Sequence, residues 1–248
     1  MGALPVKGDD ELKQTNEIKC AIPLLDAVDI EGKNVTADAL LTQRAIADYL
    51  IGRKAHYHFT VKKNQPTLHQ DIKLFFKDRG EPDFVAYDPP DHGRIEFRKI
   101  WTTTELNDYI DFPHVGQVFV IERHALDKKS GKESPLLKEE EKIAYGVTSR
   151  RPEEANAERV LTINRGHWSI ENSCHYILDW NYDEDRSRIR TGYGPENITR
   201  LRRFAIGVIK SKGARSVAQK MRELTLNVRL VFDYLKMTEN SCAPARVN

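Results

Sequence analysis

The sequence predicts an α/β protein, a mixed sheet flanked by helices with a helical C-terminal part. Three observations carry that expectation. Helix and strand signals alternate over the first 80 residues, four strand-like segments follow without a strong helix between them, and from Pro152 onward the pattern is helical.

Residues 16–28, NEIKCAIPLLDAV, hold apolar side chains at helical spacing, with Pro23 marking a kink or a restart. A short strand, NVTADA (34–39), is entered through Gly32, and residues 42–52 form a helix with Ile46, Tyr49 and Leu50 on its apolar side. HYHFTV (56–61) alternates and is rich in aromatic and β-branched residues, which makes it a strand. It runs into KKNQPTLHQDIKLFF, where Pro66 and Thr67 open another helix. This order points to neighbouring strands that are partly parallel. Residues 84–87, 94–103, 117–123 and 142–149 then read as strands, with at most a short helix near Leu106. They either extend the central sheet or build an inserted subdomain. Residues 127–141, DKKSGKESPLLKEEE, predict a solvated loop. Pro152 followed by Glu153 and Glu154 predicts a helix start. After TGYGPEN come a long helix from about Asn197 to Lys210 and a second from Ala214 to about Leu235.

Composition excludes several classes. The chain has 248 residues, 40% hydrophobic and 31% charged, with a net charge of only +2, so no global basic excess advertises nucleic acid. Charge is uneven, however. Residues 189–215 carry seven Arg and Lys (Arg190, Arg200, Arg202, Arg203, Lys210, Lys212, Arg215) against Glu196, a local excess suited to phosphates. Cys20, Cys174 and Cys242 are scattered and odd in number, which argues against a disulfide framework or a cysteine zinc site and fits a reducing cytoplasm. No signal peptide and no membrane-length apolar run is present, so no membrane partner is expected.

Two carboxylates stand out. On a helix, His167, Glu171 and His175 in RGHWSIENSCHYILDWNYDEDRSRIR share one face, four residues apart, while Trp168, Ile170, Tyr176 and Ile177 fall mostly to other sides and can bury. Glu171 is either a solvated carboxylate on an amphipathic helix or part of an active-site wall. Asp38 ends a buried-looking strand, and open α/β sheets place ligand sites at the carboxyl ends of strands. An acid there is either held by structural hydrogen bonds or shared with a cation. An Asp on a strand end and a Glu on a later helix are the oxygen ligands that two-metal phosphoryl chemistry uses.

VTADALLTQRAIADYL, HYHFTVKKNQPTLHQDI, HGRIEFRKI, LNDYIDFPHVGQVFVIER and RGHWSIENSCHYILDWNYDEDRSRIRTGYGPEN followed by LRRFAIGVIK resemble the H-repeat-associated branch of insertion-sequence DDE transposases. The resemblance runs from about Lys13 to Lys210, with the motifs in the family's order. It implies an RNase H-like catalytic core, cutting of transposon ends and strand transfer into target DNA, that is, DNA transposition and recombination. It also implies a two-metal site for Mg²⁺ (or Mn²⁺), double-stranded DNA as the partner, a homo-oligomer when active, and a cytoplasmic, nucleoid-associated protein. Asp38 matches the second acid of the triad and Glu171 the third, so both are the expected catalytic and metal-holding residues.

The chain departs from the family pattern in two places. The first catalytic Asp lies upstream of the segment resembling TNEIKCAIPLL, and Asp9 and Asp10 sit in a polar stretch that is no strand, so an N-terminally truncated chain lacking the first core strand is expected. Leu41 stands where relatives often carry His. The expected divisions are 1–80 for the N-terminal core, 81–150 for the β-rich insertion, 151–212 for the part carrying Glu171, and 213–248 for the last helix and tail. Lys62, Lys63, Asn64 and Gln65 are expected at the DNA, with helix capping as the plain alternative. Arg94 is either a backbone contact or an exposed turn residue, and Arg202 and Arg203 are DNA contacts or solvated. His167 and Asn172 are expected to hydrogen-bond near the metal, Trp168 to be core, and Asp179, Asp183 and Asp185 to pair with Arg186, Arg188 and Arg190. Two alternatives remain: a catalytically dead DNA-binding remnant, and an unrelated metal-dependent hydrolase using His167, Glu171 and His175 on zinc. The second strains geometry, because ligands eight residues apart on a helix are separated by about 12 Å of rise.

Overall fold

A computed structural model describes residues 10–88, 94–127, 142–170, 176–183 and 186–237, with the side chains of residues 10–16, 94, 169 and 170 left undescribed. It divides into two compact units, Met1–His167 and Trp168–Asn248.

The first unit is built on one mixed sheet. Helix α1 (Asp10–Asp26), which contains Pro23, is followed by strand β1 (Asn34–Ala37), helix α2 (Arg44–Gly52), strand β2 (His56–Val61) and helix α3 (Pro66–Phe75). Strands β3 (Phe84–Tyr87), β4 (Arg94–Thr103), β5 (Gln117–Asp127) and β6 (Ile143–Thr148) complete a six-stranded sheet in the order β1-β2-β6-β5-β4-β3. β1 and β2 are parallel, joined by the helical crossover that parallel neighbours need, and every other neighbouring pair is antiparallel. The four middle strands therefore extend the central sheet. The segment around Leu106 forms a succession of turns rather than a helix, and residues 128–141 of the predicted solvated loop lie outside the described part.

Alternation along the strands assigns the two faces. Tyr57, Phe59, Val61, Val118, Val120 and Val147 share one cluster with Ile46, Leu50, Leu68 and Ile72 of α2 and α3. The opposite face buries Ile100, Phe119 and Ile121 against Val160 and Leu161 of helix α4 (Ala157–Ile170). Gly146 in β6 makes room for Phe119, since a Cβ there would lie 2.1 Å from the ring. Buried Gln117 donates from Nε2 to the carbonyls of Arg150 (3.0 Å) and Ala155 (2.8 Å), tying β5 to the turn before α4. α4 begins at Ala157 and not at Pro152, because Asn156 accepts from the Arg159 amide at 2.9 Å and so caps the helix five residues later than expected.

The second unit is helical. A π-helical turn (Ile177–Asn181) precedes helices α5 (Gly194–Ser211), α6 (Val217–Leu226) and α7 (Val228–Tyr234). The single helix expected from Ala214 to Leu235 is two helices, because Asn227 leaves helical backbone and its side chain accepts from the Arg229 amide at 3.0 Å. Leu178, Ile206, Ile209 and Val217 form the core of this unit. Among the described residues no helix is long and apolar enough to cross a membrane.

Candidate active site

The chain leaves β1 at Asp38, at the carboxyl end of a strand whose register pairs Thr36 with His58 and Ala37 with Phe59. Asp38 is exposed and caps a 3₁₀ turn (Ala39–Leu41), its Oδ1 accepting from the Leu41 amide at 3.4 Å. That long bond occupies one carboxylate oxygen and leaves the other to solvent. The turn is fixed from below by buried Thr42, whose hydroxyl donates to the Thr60 carbonyl at 2.8 Å and lies 3.2 Å from the Asp38 carbonyl. From the side, Asn64 donates to the Ala39 carbonyl at 2.5 Å and Gln65 to the Thr42 carbonyl at 2.8 Å.

Because β1 and β2 are parallel, the segment after β2 emerges on the same rim as Asp38. Within KKNQ the work is divided. The amides of Asn64 and Gln65 hold the Asp38 turn, and Gln65, although at the N-cap position of α3, makes no side-chain cap. Lys62 and Lys63 remain exposed on the rim.

A polar cluster lies between this end of the sheet and α4. His167 Nδ1 is 3.1 Å from Thr36 Oγ1, and Asn164 Nδ2 donates to His58 Nε2 at 3.3 Å. His58 is buried and stacked on Phe119 with ring centroids 4.5 Å apart. Burial, with a smaller effect from His167, pushes its pKa down to about 3, so the ring is neutral at ordinary pH. With Nε2 accepting, the proton sits on Nδ1, a buried atom with no hydrogen-bond partner among the described residues. Between Asn164 and His167 on α4, Arg165 pairs with Asp88 at 2.5 Å, Asp88 also pairs with Arg98, and Glu96 joins Arg123 at 2.7 Å. Burial would raise the Asp88 pKa, but Arg98 and Arg165 outweigh it and hold the carboxyl below the usual range. Thr36 and His58 were not singled out from sequence; their one legible signal is a polar residue at an inward position of each strand.

The other predicted residues fall as follows. Glu171 and Asn172 lie outside the described residues, as does His175. His167 faces Thr36. Arg94 opens β4 with its backbone opposite Asp127. Arg202 lies over the Tyr182 ring at 5.9 Å, and Arg203 is half-buried on the same helix, so neither is a freely solvated arginine. Arg186 pairs with Asp183 at 3.6 Å. Trp168 and Tyr176 were expected to bury but are each 56% exposed. Ile177, expected on the same apolar set, does pack against the core of the second unit, beside buried Leu178.

A single hard carboxylate at a solvated strand end fits a magnesium-like ion better than zinc, because it supplies oxygen and leaves room for water ligands. Among the described residues no group of three His, Cys, Asp or Glu side chains converges. Asp38 would therefore hold such an ion together with ligands from elsewhere.

Residues 4–200 match the family model described as "Transposase DDE domain". Among curated proteins, the chain is 29% identical over 235 residues to "Putative transposase YncI" of Escherichia coli O157:H7, covering 90% of this chain and 57% of that protein. It is 28% identical over 221 residues to "H repeat-associated putative transposase YhhI" of Escherichia coli K12, covering 87% of this chain and 58% of that protein. The chain thus spans little more than half the length of these relatives.

Proposed function

From the membership of this chain in the Transposase DDE domain family, in its H-repeat branch, we propose that it forms part of a transposase that cuts and joins DNA with divalent metal ions. In this proposal Asp38 and Glu171 are metal-holding carboxylates. Lys62 and Lys63 take DNA phosphates, with Arg94, Arg202 and Arg203 as further contacts. Asn64 and Gln65 contribute by fixing the turn that presents Asp38, and His167 and Asn172 by orienting groups near Glu171. When bound, Mg²⁺ or Mn²⁺ would neutralise charge at the scissile phosphate and acidify a water.

The observation that carries the reading is the posture of Asp38. Its turn is locked by three side chains, yet its carboxylate stands in solvent at the carboxyl end of a parallel strand beside two exposed lysines. A purely structural Asp cap would be served by one short hydrogen bond, and here the bond is 3.4 Å long. A rigid loop around an under-used carboxylate is what metal ligation requires.

The test replaces Mg²⁺ with Fe²⁺, adds hydrogen peroxide as oxidant and ascorbate to recycle the iron, and reads backbone scission by the hydroxyl radicals generated at the bound ion. Scission beside Asp38 that disappears in Asp38→Asn supports the proposal, and scission unaffected by that substitution overturns it. In a polypeptide of the relatives' length containing this chain, Mg²⁺-dependent cleavage of the element's end DNA is expected to vanish with Asp38→Asn or Glu171→Gln.

A further inference from the structure

At the other edge of the same sheet, three aromatic rings stack in one line. Tyr87 of β3 lies directly opposite Phe97 of β4, and Phe97 directly opposite His124 of β5. The Tyr87 and Phe97 centroids are 5.6 Å apart with planes 29° off parallel, and Phe97 and His124 are 4.7 Å apart at 10°. The spacing follows the distance between strands, about 4.8 Å. β3 is the last strand of the sheet, so Tyr87 terminates the stack, and it is 72% exposed. Lys99, on the same face of β4, carries its ammonium 6.0 Å from the Phe97 ring centroid.

Most exposed tyrosines are single side chains that move freely. This one is backed by two further rings in register, so its orientation is set by the sheet. The stack also lies at a meaningful end of the molecule. β3 and β5 run parallel to β1, so Tyr87 and His124 sit toward the same end of the sheet as Asp38, Lys62 and Lys63. Five strand steps separate β1 from β3, about 24 Å across the sheet, and the register sets Tyr87, level with His124, about 20 Å further along the strands than Ala37, level with Val118.

Resting on the proposed function, we propose that Tyr87 is a stacking platform for an unpaired base of the DNA, with Lys99 taking the adjoining phosphate. The chemistry is that of single-strand recognition. A flat ring continues a π-stack with any base, and a neighbouring cation meets the backbone. Lys99 lies opposite Val85, two residues from Tyr87 along the strand, about 7 Å away. That distance suits one nucleotide placing its base on Tyr87 and its phosphate toward Lys99. A base paired inside a duplex has both faces covered and gains nothing from Tyr87, so the platform selects frayed or single-stranded ends.

The experiment measures binding of a blunt duplex, and of the same duplex carrying an unpaired thymine tail, to wild type, Tyr87→Ala and Tyr87→Phe. Wild type should prefer the tailed duplex. Tyr87→Ala should lose that preference, weakening tailed-duplex binding roughly 5- to 150-fold, the range of one lost base–aromatic stack, while blunt-duplex binding stays unchanged. Tyr87→Phe should keep the preference. Because Tyr87 is exposed, all three should share one circular dichroism spectrum. Equal tailed-duplex affinities for wild type and Tyr87→Ala, with blunt-duplex binding intact, overturn the platform and leave the DNA reading standing. Failure of wild type to bind either duplex overturns both. A loss of self-association in Tyr87→Ala without any change in DNA binding would identify the stack as a contact between copies and also overturn the proposal.

Discussion

The two units bury their large apolar side chains to different degrees. In the sheet unit Tyr57, Phe59 and Phe119 are wholly buried, each packed on a helix-covered face and held by strand pairing to distant segments. In the helical unit Leu178, Ile206, Ile209 and Val217 make up the buried core, while Trp180 is 75%, Tyr193 78% and Leu226 87% exposed. The difference shows where stability resides. A sheet closed by helices on both faces removes apolar area from water on each strand residue in turn. The last two helices, short and joined at the single residue Asn227, offer each other only narrow stripes. The rigid rim around Asp38 is built on the first kind of region.

That contrast would break first at Phe119. Its ring fills the space left by Gly146 and stacks on His58, so Phe119→Ala removes a fully enclosed side chain and leaves a cavity. The expected loss is about 3–5 kcal/mol. Two compact units need not unfold together, so the loss should be read from hydrogen exchange of β2, β5 and β6 amides and not from a single melting point. A loss below about 1 kcal/mol would mean that this face of the sheet is not packed as described.

A second prediction uses pH. The unfolded His58 imidazole titrates near 6.5 and the folded one near 3, so between those values the unfolded chain binds more protons. The contribution of neutral His58 is full above pH 6.5 and is lost as pH falls toward 3. Stability of the sheet unit should therefore decline by up to about 1.4 kcal/mol per pH unit through this window. His58→Asn should flatten that slope relative to wild type. An unchanged slope would assign the acid sensitivity to other groups, such as His56 and His69, whose pKa values burial also lowers.

How much of this was legible in the sequence differs from element to element. The order β1-α2-β2-α3 follows from alternation and helix-opening residues, and the structure keeps it. Asp38 was visible as an acid at a strand end. Its supports were less so. The sequence places Asn64 and Gln65 at the DNA or as caps of the next helix, but which carbonyl an amide reaches is decided by tertiary approach, here 25 and 23 residues away along the chain. Strand spacing likewise did not say whether β3 to β6 join the central sheet, because each antiparallel edge is satisfied by either arrangement. The start of α4 was misplaced since Pro152 with two glutamates and Asn156 are both acceptable openings. The Asn156 side chain on the Arg159 amide decides it. Trp168 and Tyr176 show the limit of periodicity: spacing predicts a common face but not whether anything covers it.

The smallest expected effect is the one that most sharpens the contrast. Phe204 on α5 and Leu226 at the end of α6 are large and apolar. They are 67% and 87% exposed. Replacing them removes little contact with the rest of the chain, and Phe204→Ser and Leu226→Ser should each shift stability of the helical unit by no more than about 0.5 kcal/mol. Ile209→Ser, two turns or less from Phe204 on the same helix, should cost several times more, since Ile209 is buried against Leu178 and Val217. Hydrogen exchange of α5 amides checks all three. A loss above about 2 kcal/mol at Phe204 or Leu226 would mean that these side chains are covered in solution, and the opposition between the units would then be one of partners and not of packing.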